Sequence, residues 1–232
     1  PDKFSVYSLG ADTASGSASG DFSAFVVIDV TEKETPKLAA SYYGRLPPEA
    51  FASLIHRECK KYNALATIEV NSYGLSVTNY LVQAAWPYLY RRTHHNKLNG
   101  TTTHIAGFNT NRATRGVILS RLHTYIENAK LSVIPDARIQ DEINQMMYIK
   151  GKAQAGDGGH DDILMATALA LEGMTQTSKL EDDVKTRLPE TRHERMMWEL
   201  KNQRIFNPKD FEDETHDLGP TDSVVDVMSN LL

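Results

Sequence analysis

The stretch GDGGHDDILMATALALEG, residues 156–173, joins two adjacent aspartates to a long apolar run. If residues 163–171 form a helix, that helix is apolar on every face, and the sequence therefore predicts that it is buried. Asp161 and Asp162 would lie at its first turn, where the helix dipole and free N–H groups favour an ionised carboxylate. Only one of the two can serve as the N-cap. The other aspartate needs a different role.

The segments before this helix favour a layered α/β fold. Apolar runs and turn residues predict strands at 4–12, 22–30, 36–46, 64–71 and 88–92, the first two joined as a hairpin. Apolar spacing predicts helices at 47–63, 73–86 and 111–131 and one starting near Pro135, with loops at 93–110 and 151–159. In the helix at 111–131, Val117, Ile118, Leu122 and Ile126 are expected on one face and the arginines on the other. Three consecutive strands followed by alternating helices and strands predict a sheet with helices on its faces.

Several carboxylates stand where predicted strands or helices begin or end. Asp12 closes the first strand, Asp21 opens the second, and Glu69 lies near the end of a later strand, with Asn71 on the same face. Hard divalent cations take carboxylate oxygens held on rigid elements, and clustered carboxylates repel one another unless a cation neutralises them. Each aspartate also has an ordinary interpretation as a turn or capping residue. Glu69 is the hardest to explain in this way, because a glutamate in a buried strand is costly without a partner.

Four stretches carry a family resemblance when they are taken in order: GADTASGSASGDFSAFVVID (10–29), IEVNSYG (68–74), GFNTNRATRGVIL (107–119) and GGHDDILMATALA (158–170). They resemble the nuclease domain of the large terminase subunit of tailed bacteriophages, over about residues 5–175. The resemblance implies an RNase H-like mixed sheet flanked by helices. It also implies two-metal phosphodiester hydrolysis that cuts concatemeric viral DNA during genome packaging, in the host-cell cytoplasm.

Matched by position, the resemblance implies that Asp12, Glu69 and Asp161 or Asp162 are catalytic metal ligands and that Asp21 is an accessory acidic ligand. His160 is expected to orient water or contact the scissile phosphate, unless it is a capping or exposed residue. The expected cofactors are two Mg²⁺ or Mn²⁺ ions. The implied partners are double-stranded DNA, the terminase ATPase domain, the small terminase subunit and the portal protein.

The sequence has no GxxxxGK motif followed by Ser or Thr, and GKA at Gly151 does not supply one. No ATP chemistry is therefore expected, and the chain is interpreted as the nuclease half of such a subunit. No run approaches the roughly 18 apolar residues of a membrane span, so no membrane partner is expected. The lone Cys59 is expected in the core.

Charge divides the chain unevenly. Residues 57–152 hold 13 basic and 6 acidic side chains, whereas residues 176–232 hold 8 basic and 13 acidic ones. We therefore predict a nuclease domain at 1–175 and an acidic tail or helical appendage at 176–232, with a helical stretch near 189–203. Phosphate contacts reward a basic surface, and they predict DNA-backbone contacts by Arg91, Arg92, Arg112 and Arg115.

Two other functions fit the same residues. The first is another RNase H-like nuclease, of the resolvase type, for which dimeric and structure-selective cleavage is expected. The second is a non-catalytic DNA-binding or portal-docking module with a vestigial acidic cluster, which would fail to cut DNA with Mn²⁺.

Overall fold

The computed structural model describes residues 1–95, 100–128, 136–149, 152–155 and 160–185. Its strands are β1 (Tyr7–Asp12), β2 (Ser23–Asp29), β3 (Lys37–Gly44), β4 (Leu65–Ile68), β5 (Arg91–His95), β6 (Thr102–Ala106), β7 (Met146–Ile149) and β8 (Lys152–Ala155). Its helices are α1 (Pro48–Tyr62), α2 (Gly74–Gln83), α3 (Arg112–Glu127), α4 (Ala137–Gln145), α5 (Asp162–Gly173) and α6 (Ser178–Lys185). The predicted helical stretch at 189–203 and most of the predicted tail lie outside the described residues.

The central sheet has four strands in the order β3-β2-β1-β4. The first three strands pair antiparallel, which confirms the predicted hairpin, and β4 pairs parallel to β1. A parallel bridge from Ala66 to Leu89 continues the sheet beyond β4. Because the carboxyl ends of parallel strands meet at one edge, the ends of β1 and β4 lie side by side. The mixed sheet with flanking helices confirms the α/β prediction.

Local residues explain where the flanking helices begin and end. Pro48 occupies the first turn of α1, where its fixed φ suits a helix start, and Asn63 closes that helix in the left-handed region at φ 48°. Helix α3 begins with a reciprocal capping box, in which the Asn111 side chain and the Thr114 hydroxyl each bond to the backbone of the other residue.

The sheet separates two apolar layers. On one face α3 and α5 pack over β2 through residues such as Ile118, Leu169 and Val26. On the other face α1 and α2 pack over β1 through Phe51 and Leu9 among others, and the predicted core residue Cys59 is buried in this layer. Nearly every side chain of α5 is buried, as predicted. Within the described ranges, no helix is long and apolar enough to cross a membrane.

Two predicted loops are wrong, because each contains a strand. Strand β5 starts in the predicted strand at 88–92 and continues into the expected loop at 93–110, where it pairs antiparallel with β6. Strand β8 lies in the expected loop at 151–159 and pairs with β7, which precedes that loop. Nearly all side chains of β5 and β6 are at least partly exposed, so these strands lack the alternation of apolar and polar residues that reveals a half-buried strand.

The predicted apolar face of α3 is wrong at one position. Ile118 and Leu122 are buried, but the Val117 side chain is 59% exposed. Residues four apart share a helix face, so the pair at 118 and 122 defines the inner face and residue 117 lies beside it. Arg115 and Arg121 also do not point away from the body, since each forms an ion pair with a residue at an end of α5.

Helix α6 lies C-terminal to the predicted domain boundary at 175. Its Leu180 and Val184 side chains are buried in the same apolar layer as α5. Gln176 also hydrogen-bonds to the backbone of Arg91 through both its side-chain oxygen and nitrogen. The first ten residues of the predicted tail therefore pack against the domain body.

Gly10 allows α5 to lie directly on β1. A Cβ atom at this position would stand 2.1 Å from the carbonyl oxygen of Ala166 and 2.2 Å from the amide nitrogen of Ala170. Both atoms belong to the backbone of α5, so they cannot move aside as the end of a flexible side chain could. Nearby, the Ser8 hydroxyl donates a hydrogen bond of 2.7 Å to the Ala170 carbonyl.

We predict that Gly10→Ala lowers the free energy of unfolding by about 3 kcal/mol, at the upper end for overpacked cores, because the helix must move off the strand. Gly116→Ala is the matched control, since a Cβ there meets nothing within 4 Å in the middle of α3. That control should raise stability by up to about 1 kcal/mol, through helix propensity alone. Urea unfolding of both variants measures the difference. Equal effects from the two substitutions would contradict the packing argument.

Candidate functional site

Asp12 and Glu69 meet at the edge where β1 and β4 end. Asp12 is the last residue of β1, and Glu69 directly follows β4, with its amide donating to the Ala11 carbonyl at 3.0 Å. Burial raises the pKa of Asp12 well above its usual range, and the charge of Glu69 and a hydrogen bond shared between the two carboxyl groups raise it further. The charges of Asp161 and Asp162 also raise the pKa of Asp12, so the structure brings both strand ends and the start of α5 together.

Asn71 holds the Glu69 carboxylate in place. Its side-chain nitrogen donates to Glu69 Oε1 at 3.1 Å and to the Thr110 carbonyl at 2.9 Å. The predicted common face of Glu69 and Asn71 therefore becomes a direct contact. Thr110 immediately precedes the Asn111 cap of α3, so the same amide links the end of β4 to the start of that helix.

The two aspartates at the start of α5 are not used for capping. Asp161 occupies the N-cap position, but its side chain makes no capping hydrogen bond among the described residues. Glu142 of α4 accepts the hydrogen bond instead, from the Leu164 amide at 2.8 Å. A carboxylate from another helix thus satisfies a donor that the first turn leaves free. Both Asp161 and Asp162 remain available for a different role, which the first-turn position alone could not indicate.

Asp162 is buried and incompletely satisfied. Burial, followed by the charge of Asp21, raises its pKa to about 6, while His160 and the Phe22 amide oppose that shift. Its Oδ2 atom is buried with no hydrogen-bond partner among the described residues, and His160 Nδ1 lies 3.6 Å away. A buried carboxylate oxygen without a donor is costly, and a cation bound there would remove that cost.

Asp21 and His160 flank Asp162 from two sides. Asp21 is exposed at the end of the turn between β1 and β2. His160 is partly buried, and its ring meets the Phe22 ring edge-on with centroids 5.2 Å apart. The Phe22 ring stacks on Tyr43 at 4.4 Å. The predicted site residue His160 therefore lies against a pair of stacked aromatic rings.

Two further buried oxygens lie near the same edge. The hydroxyl groups of Thr13 and Thr110 have no hydrogen-bond partner among the described residues. Thr13 follows Asp12, and Thr110 contacts Asn71 through its carbonyl. Buried polar groups of this kind are normally satisfied by water or an ion.

The donor set fits a hard divalent cation. It consists of carboxylates and hydroxyl groups, and oxygen ligands of this kind suit Mg²⁺ or Mn²⁺. In the part of the chain that the structure describes, no group of three or more His, Cys, Asp or Glu side chains is already arranged to hold an ion. The acidic side chains are close together, but their oxygens interact with other groups. The Asp12 and Glu69 carboxyl groups interact with each other, and Asp161 pairs with Arg115. Side-chain rotations would be needed to direct their oxygens at one point.

The four predicted DNA-binding arginines occupy different environments. Arg91 and Arg112 are exposed. The Arg92 guanidinium donates to the carbonyls of Ala106 and Gly107 at 3.2 and 3.0 Å. Arg115 forms an ion pair with Asp161. The sequence did not show that Arg92 hydrogen-bonds to the backbone at the end of β6. It also did not show that Arg115 pairs with one of the predicted metal ligands.

Glu142 is a site residue that the sequence reasoning missed. A signal for it exists, because Glu142 stands three residues after the buried Ile139 and so shares the inner face of α4. Burial raises its pKa to about 7, and the charges of Asp162 and Asp161 add to this, against the hydrogen bond from Leu164.

Neither models of known protein families nor curated proteins match the sequence.

The raised pKa values predict that the metal-free protein loses stability as the pH rises. The folded state binds protons more tightly at Glu142 and Asp162, so their contribution is complete below about pH 4 and is lost as the pH rises through about 6 to 7. The raised pKa of Asp12 acts in the same direction. Glu142 and Asp162 should each contribute about 1 kcal/mol to this loss of stability, once the pKa shifts are discounted for screening by solvent. Denaturant unfolding in EDTA from pH 4.5 to 8 measures this trend.

Glu142→Gln and Asp162→Asn should each flatten the pH profile, because the amide cannot ionise. Asp141→Asn is the matched control, since Asp141 is the exposed neighbour of Glu142 on α4. A metal-free protein whose stability rises with pH over this range would contradict the assigned burial.

Proposed function

We propose that this chain is a divalent-metal-dependent DNA endonuclease of the terminase large-subunit type, with an RNase H-like sheet. The observation that carries the proposal is that five acidic side chains from four segments lie close enough for their charges to raise the pKa of Asp12 or Asp162. These residues are Asp12, Asp21, Glu69, Asp161 and Asp162. They surround a buried Asp162 oxygen that has no donor among the described residues. Structural ion pairs do not require carboxylates to gather in this way, because like charges destabilise one another.

The sheet topology supports the RNase H-like part of the proposal. Three antiparallel strands lead into β4, which lies parallel to β1 on its other side. This order puts the first-strand aspartate and the glutamate after β4 at one edge. The N-terminal end of the buried helix α5, which carries Asp161 and Asp162, lies near the same edge. The acids also follow one another along the chain in the same order as the stretches that carry the family resemblance.

In the proposed reaction, Asp12, Glu69, Asp161 and Asp162 would hold the ions, with Asp21 as an accessory ligand. When bound, a pair of divalent ions activates water and stabilises the leaving oxygen of a phosphodiester. The protein contributes rigid placement, since Asn71 fixes Glu69 and Glu142 fixes the start of α5. We propose that His160, whose Nδ1 lies 3.6 Å from Asp162 Oδ2, orients water or contacts the phosphate.

The excess of basic residues in the middle of the chain supports a nucleic-acid substrate. Residues 57–152 have a clear excess of basic side chains, and the exposed Arg91 and Arg112 belong to this part of the chain. Contacts with phosphates add affinity without reading sequence. We therefore propose duplex DNA as the substrate, cut with little sequence preference. The ATPase domain, small terminase subunit and portal protein are proposed partners on the family resemblance alone.

We predict that Asp162→Asn abolishes cleavage of plasmid DNA in Mg²⁺ or Mn²⁺ and leaves the protein as stable as the wild type or more so. Removing one of several clustered charges relieves repulsion while the side-chain shape is kept. Gel analysis of plasmid nicking and thermal unfolding measure the two effects. Asp141→Asn is the control, because its carboxylate is exposed on α4. Undiminished cutting by Asp162→Asn, or cutting in EDTA, would overturn the proposal, and a wild type that binds DNA but never cuts would favour the docking module.

We predict that Arg112→Gln weakens binding to all duplex sequences alike and reduces the slope of log affinity against log salt by about one. Each contact between an arginine and a DNA phosphate releases one bound cation from the DNA, and the variant makes one such contact fewer. Arg57→Gln is the matched control, because Arg57 is exposed on α1, on the opposite face of the sheet. Fluorescence anisotropy over a salt series measures the slopes. A change in site preference with an unchanged slope would contradict the assignment.

A further inference from the structure

Arg115 connects helix α3 to the candidate metal ligands. Its guanidinium forms an ion pair with Asp161, which holds the N-cap position of α5. The Arg115 and Asp161 side chains are 28% and 24% exposed. Such a pair is partly removed from water, so salt screens it less than an exposed surface pair.

A second ion pair joins the same two helices but has different surroundings. Arg121 pairs with Glu172 near the other end of α5, and Glu172 also accepts a hydrogen bond of 3.0 Å from the Tyr90 hydroxyl. That pair lies at the end of α5 opposite to Asp161 and Asp162. The charge of Asp161, in contrast, acts on Asp12, Glu142 and Asp162. Arg115 therefore neutralises a carboxylate inside the acidic cluster.

We propose that Arg115 is an internal cation that competes with the divalent metal for Asp161, and that a DNA phosphate relieves this competition. The inference rests on the proposed function. In the DNA-free protein, the guanidinium satisfies Asp161 and weakens metal binding. When DNA is present, Arg115 pairs with a backbone phosphate, and Asp161 becomes available to the ion.

The exchange keeps charges of opposite sign together in both states. Before it, the guanidinium neutralises a carboxylate. After it, the metal neutralises the carboxylate and the phosphate neutralises the guanidinium, whose planar fork suits either anion. Metal binding without a phosphate would instead bring Arg115 close to further positive charge. Metal and DNA should therefore bind cooperatively, and each should strengthen the other by the same factor.

Calorimetric titration of the full chain with Mn²⁺, alone and with a phosphorothioate duplex that resists hydrolysis, tests the inference. Without DNA, Arg115→Gln should bind Mn²⁺ at least about fivefold more tightly than the wild type. The duplex should raise the Mn²⁺ affinity of the wild type by a similar factor and that of Arg115→Gln much less. Arg115→Lys, which keeps the charge, should behave more like the wild type. Circular dichroism checks that each variant is folded.

Two variants separate the specific contact from a general charge effect. Arg121→Gln removes the second ion pair between α3 and α5, and Arg57→Gln removes an exposed charge on α1. Both should keep the DNA-free Mn²⁺ affinity of the wild type. Equal tightening in either of them, or unchanged affinity in Arg115→Gln, overturns the inference. Asp12→Asn reports on the site itself: its loss of Mn²⁺ binding upholds the metal site in either case, whereas a wild type that binds no Mn²⁺ overturns both proposals.

Discussion

The direct contact of α5 with β1 sets the geometry of the acidic cluster. Gly10 has no side chain to separate strand and helix, and it lies against Ala166, one helical turn after Asp162. Asp12 ends the same strand two residues beyond Gly10. A helix held this closely has little freedom to slide along the strand, so the distance between the strand-end and helix-start carboxylates is fixed by backbone packing.

This placement is unfavourable for the carboxylates themselves. Burial and mutual repulsion raise the pKa values of Asp12 and Asp162, and the same effects raise that of Glu142. The cluster is held by the surrounding packing of α5, whose side chains are almost all buried. Functional sites often keep groups in positions that cost stability, and a bound cation would recover part of that cost.

Helix α3 connects the site to the basic part of the chain. It starts beside Thr110, which Asn71 links to Glu69, and its Arg115 reaches Asp161. The exposed Arg112 stands one turn before Arg115. One helix thus carries both a contact to the acidic cluster and a side chain available to a nucleic-acid backbone. Binding of DNA along α3 would consequently affect the acids, which is the physical basis of the cooperativity that we infer.

The sequence alone determined the main elements of the fold and the positions of the acids along them. Strands β1 to β4, the buried helix α5 and the locations of Asp12 and Glu69 at strand ends follow from local patterns of apolar residues. The end of β5 and all of β6 were missed because their side chains are at least partly exposed, and an exposed strand carries no such pattern. Only the tertiary structure showed that Glu142 caps α5 and that Arg115 pairs with Asp161. These contacts join residues 22 and 46 positions apart, and their formation depends on how α3 and α4 pack against α5 rather than on local sequence.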